Sequence, residues 1–276
     1  MRFWHRRREP PLAVDVYGHG RALLLLHGQP GAASDWRAVA EDLAADFRVI
    51  VPDRLGYGRT GGKAGGFAVN ARAVVRLMGR LGERRALLVG HSWAGGVALQ
   101  GALDFPSSVA GVGLVSPVVP DEPPSRTDRL LAKPLFGTAV ASVLLGTAGR
   151  LIASSAGSAA VGRQLQGHEE VAAALGALGA SWHHPSAWRS FAIEQRALVE
   201  ELGLLTARLD GLRAPVAVVV GSADRVIGTE AARRLATEIA GASLEVIPGA
   251  GHLLPQLKPA SVATMVRALA ERAAWP

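Results

Sequence analysis

Short runs dominated by apolar residues recur along this chain at 22–26, 48–51, 86–89, 109–115, 216–220 and 244–247, most of them ending in a glycine, proline or polar turn. A run without polar alternation belongs to a strand covered on both faces, the mark of a parallel sheet flanked by helices. Between the runs lie segments with helical apolar spacing: 34–45, 68–81, a helix opening at Ser92, 230–240 and 259–273. An edge strand at 12–17 precedes them. The alternation predicts an α/β fold, a mostly parallel central sheet with helices on both faces.

From 117 to 212 the alternation stops. The stretch opens with Val119-Pro120-Asp121-Glu122-Pro123-Pro124 and continues with helical patterns at 128–131, 135–153, 169–178 and 187–202, without a convincing strand. The expected organisation is a basic N-terminal tail at 1–11, a core at 12–116 and 213–276, and a helical cap inserted at 117–212. A chain of 276 residues suffices for one such unit.

The formal charge of +7 invites a nucleic-acid partner, but much of the excess is Arg2, Arg6, Arg7 and Arg8 against Glu9. No basic face studded with aromatics follows, so no nucleic-acid partner is expected. The chain has no cysteine, which excludes disulfides, thiolate metal sites and a cysteine nucleophile and fits a reducing, cytoplasmic setting. The twin arginines lead into Glu9-Pro10-Pro11 rather than an apolar segment, against an export signal. The uncharged run at 134–149 is short and rich in Gly, Ala, Ser and Thr, so stable membrane insertion is not expected. The sequence leaves a homodimer open.

Chemistry concentrates at Val89-Gly90-His91-Ser92-Trp93-Ala94-Gly95-Gly96, where an apolar run turns into a small-residue helix. A serine on such a strand-to-helix turn sits on a sharp backbone, between small residues at Gly90 and Ala94, with the first N–H groups of the helix aimed beside it. The pattern is G-x-S-x-G with alanine in the last place; Gly95 and Gly96 still allow the helix to pack closely. Two further strand ends carry matching groups. The run at 216–220 leads to Gly221-Ser222-Ala223-Asp224, and the run at 244–247 to Pro248-Gly249-Ala250-Gly251-His252. In an open parallel sheet, functional groups gather at the carboxyl ends of strands. Ser92 needs a base, His252 can take its proton, and Asp224 can fix the imidazole. Backbone N–H groups of Trp93 and Gln29 are the candidate oxyanion donors.

These segments, with His27-Gly28-Gln29-Pro30-Gly31 and Asp53-Arg54-Leu55-Gly56-Tyr57-Gly58, resemble the α/β-hydrolase superfamily in its serine-nucleophile branch with a helical cap. The resemblance runs from about residue 12 to 275 and implies a Ser92–Asp224–His252 triad, no cofactor and a small-molecule substrate. It implies an acyl-enzyme hydrolase of a carboxylic ester or lactone; the apolar cap suggests an apolar group on that substrate. Carbon–carbon bond hydrolysis and cofactor-free haloperoxidase or perhydrolase chemistry use the same triad. A non-catalytic small-molecule binder is the rival from another class.

Other residues have rival readings. Asp121 is a weaker candidate acid than Asp224. Asp53 and His27 read as turn structure, and His91 as pointing into the fold. Trp93, Trp182, His183 and Trp188 are candidates for the substrate pocket, with packing as the competing role for Trp93. His183 and His184 lack a third ligand at a matching spacing, so no metal is expected. Glu194 is a candidate for holding a substrate amine in an aminopeptidase reading.

Overall fold

A computed structural model describes residues 10–118, 126–157, 160, 179, 182 and 185–273. The strands are β1 (Val14–Tyr17), β2 (Arg21–Leu26), β3 (Phe47–Pro52), β4 (Ala86–His91), β5 (Val109–Val115), β6 (Val216–Gly221) and β7 (Ser243–Ile247). They form one sheet in the order β1-β3-β2-β4-β5-β6-β7. Only β1 is antiparallel to its neighbour, pairing Val14 with Pro52; the remaining pairs are parallel.

Side-chain alternation along each strand separates two cores. Leu24, Leu26, Leu88, Leu114, Val218 and Val220 face one side, with α2 (Phe67–Arg80), α3 (Ala94–Asp104) and α7 (Thr229–Glu238). Leu23, Leu25, Leu87, Val89, Val115 and Val219 face the other, against α1 (Arg37–Leu43) and α9 (Pro259–Arg272). Each strand thus needs apolar residues at consecutive positions, which is why its sequence shows no alternation. A fully buried leucine of this kind contributes roughly 1.5–3 kcal/mol over an exposed one.

The elements differ from expectation mainly at their ends. The segment expected as one helix at 34–45 starts as a 3₁₀ turn, Ala33–Trp36, before α1, and a short helix α8 (Leu254–Leu257) follows His252 unannounced. Strand β4 runs on through Gly90 and His91, paired to Leu114 and Val115, so the turn at Ser92 begins where the ladder ends.

Between β5 and β6 the described elements are helical: α4 (Arg126–Leu131), α5 (Pro134–Ala153), α6 (Pro185–Thr206) and a 3₁₀ turn, Leu209–Gly211. The basic tail through residue 9, Asp121, His183, His184 and the helix expected at 169–178 lie outside the described residues. The uncharged run read as too short for a membrane is part of a longer helix. Continued through Arg150, Pro134–Ile152 is long and apolar enough to cross a bilayer by length and composition, the one such helix among the described residues. One side of α5 packs on α6, with Gly146 against the Trp188 ring.

Candidate active site

The carboxyl ends of β4, β6 and β7 deliver three side chains to one point. His252 Nε2 lies 3.1 Å from Ser92 Oγ, and His252 Nδ1 lies 2.9 Å from Asp224 Oδ2. The carboxylate can only accept at Nδ1, so that nitrogen carries the proton and Nε2 offers its lone pair to the Ser92 hydroxyl. The other carboxylate oxygen of Asp224 accepts the backbone N–H groups of Val226 at 2.9 Å and Ile227 at 3.1 Å. Burial pushes the Asp224 carboxyl up; the His252 hydrogen bond and charge, with those two N–H groups, outweigh it and hold it at about 2. Asp224 is therefore an anion at neutral pH, with its side chain excluded from solvent.

Ser92 sits at φ 53°, in the left-handed region that non-glycine residues seldom occupy. The surroundings hold it there: its N–H donates to the Val115 carbonyl at 2.9 Å, and its carbonyl accepts Gly95 N–H at 2.9 Å and Val118 N–H at 3.1 Å. A side chain at Gly90 would collide with the Ala94 carbonyl, so glycine is required two residues before the serine. Two residues after it, the methyl of Ala94 is fully buried and fits. Further close approaches follow directly, where added Cβ atoms at Gly95 and Gly96 would stand 2.8 Å from Pro117 and 2.6 Å from the Phe67 ring.

The loop after β2 passes directly beside the serine. A Cβ at Gly28 would lie 3.1 Å from Ser92 Cβ and 3.2 Å from His91 Nδ1. The loop is tied down from behind. His27 Nε2 accepts the Arg54 backbone N–H at 2.9 Å, and its Nδ1–H donates to the Gly28 carbonyl at 2.9 Å. Complete burial, then the Arg54 charge, hold His27 well below the usual histidine range, so it is a neutral structural group. His91 is also neutral, pushed down to about 3 by burial and then by the nearby His252; it meets the His252 carbonyl at 3.0 Å through Nε2. Asp53 is structural as expected, accepting Ala33 N–H at 2.8 Å and the Arg59 Nε–H at 2.8 Å.

Arg54 is the feature missed from sequence. Its guanidinium donates to the His27 carbonyl at 2.7 Å and the Gly28 carbonyl at 2.8 Å, and it pairs with Glu194 on α6. Tyr57 Oη–H donates to the same carboxylate at 2.7 Å. Trp93 Nε1–H donates to the Glu194 backbone carbonyl at 3.1 Å, and the indole lies against Phe67 and 4.7 Å from the Arg54 guanidinium carbon. Trp93 has no exposed surface, so its indole packs the junction rather than forming an open pocket wall, a correction to one of its two expected roles. Glu194 carries a second correction: its carboxylate is fully buried and already bound by Arg54 and Tyr57, so it does not stand exposed for a substrate amine. Arg54 and Glu194 stand 140 residues apart, and no local pattern links them.

Of the other pocket candidates, Trp188 Nε1–H donates to the Trp182 carbonyl at 2.6 Å and its ring borders Gly146; these contacts lie within the helical insertion. Among the described residues no group of three metal-ligating side chains occurs.

A family model described as the alpha/beta hydrolase family matches residues 23–265. An uncharacterized protein of Mycobacterium tuberculosis is 30% identical over 253 residues, covering 87% of this chain and 72% of its own. The magnesium-chelatase 30 kDa subunit of Rhodobacter capsulatus is 29% identical over 95% of this chain and 92% of its own. Among solved structures, a thermophilic esterase from Thermogutta terrifontis superposes with a TM-score of 0.73 at 25% identity, covering 94% of this chain and 93% of that one.

Proposed function

The chain belongs to the alpha/beta hydrolase family, and from that premise we propose that it is a serine hydrolase acting through an acyl-enzyme on a small apolar ester or lactone. The observation that carries this reading is the imidazole of His252 suspended between Ser92 Oγ and Asp224 Oδ2. As Ser92 Oγ attacks the substrate carbonyl, its proton passes to His252 Nε2, and Asp224 stabilises the imidazolium through Nδ1–H. The carbonyl oxygen becomes an oxyanion, for which the backbone N–H groups of Trp93 and Gln29 are the proposed donors. The tetrahedral intermediate collapses, the leaving alkoxide takes the proton from His252, and the acyl group remains on Ser92. A water then gives its proton to His252, attacks the ester carbon and releases the acid, restoring the serine.

Carbon–carbon bond hydrolysis and cofactor-free haloperoxidase or perhydrolase chemistry would use the same three side chains. The apolar helices of the insertion support an apolar group on the substrate. A panel of p-nitrophenyl esters, lactones and a peracid assay, run beside Ser92→Ala, tests the proposal. Hydrolysis abolished by the substitution and a fluorophosphonate adduct on Ser92 are the expected results. Activity that survives in Ser92→Ala removes the mechanism; inertness to every substrate and to the label favours a binding protein.

A further inference from the structure

Helix α5 turns an apolar face outward that nothing in the described fold covers. Leu135 is 88% exposed, Val143 66%, Leu151 64%, Leu144 55% and Phe136 48%. Phe136, Val143, Leu144 and Leu151 follow seven- and eight-residue steps, which keep side chains on one side of a helix. Single exposed apolar residues are ordinary; a stripe of five on one helix marks a contact surface.

The charges around the stripe select the partner. No charged residue occurs between Pro134 and Gly149, while Lys133 precedes the helix and Arg150 lies in its last turn, both exposed. Arg126 is exposed on the neighbouring α4. Among the described residues of these two helices, Asp128 is the sole acidic side chain on α4, and α5 has none. A second copy of this chain is a poor occupant of such a face. Pairing two α5 helices antiparallel sets Lys133 beside Arg150, and parallel pairing sets each cation beside itself. Spanning a membrane is equally unsuitable, because the opposite side of the helix, through Ala141, Leu145 and Gly146, is buried toward α6 and Trp188.

We propose that α5 lies flat on an anionic lipid bilayer, with Phe136, Val143, Leu144 and Leu151 entering the headgroup–acyl boundary and Lys133 and Arg150 meeting the lipid phosphates. Apolar insertion combined with electrostatic attraction is how interfacial helices hold a membrane surface, and long cationic side chains reach back to the headgroups. The surface is independent of the reaction at Ser92, so either proposal can fail without the other.

The test is co-sedimentation of the full chain with vesicles of phosphatidylcholine plus phosphatidylglycerol, against vesicles of phosphatidylcholine alone. Binding is expected to the anionic vesicles and to weaken as salt is raised. Lys133→Gln and Arg150→Gln should each weaken it about fivefold. Phe136→Ser with Leu144→Ser should weaken it roughly tenfold or more. These positions are exposed, so an unchanged thermal midpoint is the folding control. Failure of the parent chain to bind anionic vesicles overturns the proposal. So does binding that survives Phe136→Ser with Leu144→Ser but disappears with Arg6→Gln, Arg7→Gln and Arg8→Gln, which assigns it to the N-terminal tail. A concentration-dependent dimer dissolved by Phe136→Ser would identify a second copy as the occupant and overturn it as well.

Discussion

Arg54 and Glu194 form an ion pair in which neither side chain has more than a trace of exposure, joining the end of β3 to helix α6 across 140 residues of sequence. The same guanidinium holds the carbonyls of His27 and Gly28, so one residue connects the loop beside Ser92 to the helical insertion. Removing one partner of a buried pair leaves an uncompensated charge, which costs about 3–5 kcal/mol. Glu194→Gln should therefore lower stability by that order in urea unfolding. Replacing both residues, as Arg54→Met with Glu194→Met, should recover only part of the loss, because the buried Tyr57 hydroxyl and His27 carbonyl are left without these partners. Turnover should not recover with it, since the His27 carbonyl loses its Arg54 donor and the Gly28 carbonyl keeps only His27 Nδ1–H. A double replacement that restores both stability and turnover would reduce the pair to a simple weld between two elements.

Gly28→Ala tests the loop itself. The added methyl would sit 3.1 Å from Ser92 Cβ, close enough to push the loop outward by a few tenths of an ångström. The Gln29 N–H would move with it. If Gln29 is the oxyanion donor proposed above, kcat should fall, with the roughly 100- to 1000-fold cost of losing such a donor outright as the upper bound, while the unfolding midpoint hardly changes. A rise in KM with kcat intact would place the loop in substrate recognition instead.

Why was so much of this legible beforehand? The sheet was readable because each central strand is buried on both faces and must be apolar throughout, as in β2 and β6. The meeting of Ser92, Asp224 and His252 followed from a topological rule, that strand ends of a parallel sheet converge, together with local turn residues such as Gly90. Arg54 was visible as a residue in a recurring motif but not as a function, because its partner lies on an insertion whose packing no local period encodes. Glu194 was only a candidate for a substrate amine for the same reason: a carboxylate on a helix looks available until its cation is known. The outward face of α5 was underestimated because glycine, alanine and serine diluted the run, though in the helix Gly137, Ala141, Gly146 and Gly149 line the inner side.

Asp224→Asn separates orientation from packing at the site. The amide keeps an oxygen to accept the Val226 and Ile227 N–H groups, so the turn survives. Its NH₂ now faces His252 Nδ1, which forces the proton onto Nε2 and removes the lone pair aimed at Ser92. The expected loss in kcat is roughly four orders of magnitude with the melting temperature nearly unchanged. Retention of more than a tenth of the parent rate would mean that Asp224 does not set the tautomer.

Acid sensitivity is the last expectation, and its sign follows from the buried histidines. His91 is held at about 3 in the folded chain against an unfolded value near 6.5, so below pH ~6.5 the unfolded state takes up a proton that the native state refuses. Stability from this group is complete above that pH and falls as pH drops toward 3, by about 1.4 kcal/mol per pH unit. His27, also depressed by burial, acts in the same direction. Asp35 acts the other way: burial raises it to about 7, so between its unfolded range near 4 and pH 7 the native state holds the extra proton. The readout is therefore the difference between variant and parent. His91→Asn should show a stability–pH slope smaller than the parent's by about one proton between pH ~3.5 and ~6, measured by urea unfolding in matched buffers. Identical slopes in the two proteins would mean that His91 is protonated in the native state as readily as in the unfolded chain, and that its contact with the His252 carbonyl does not depend on neutrality.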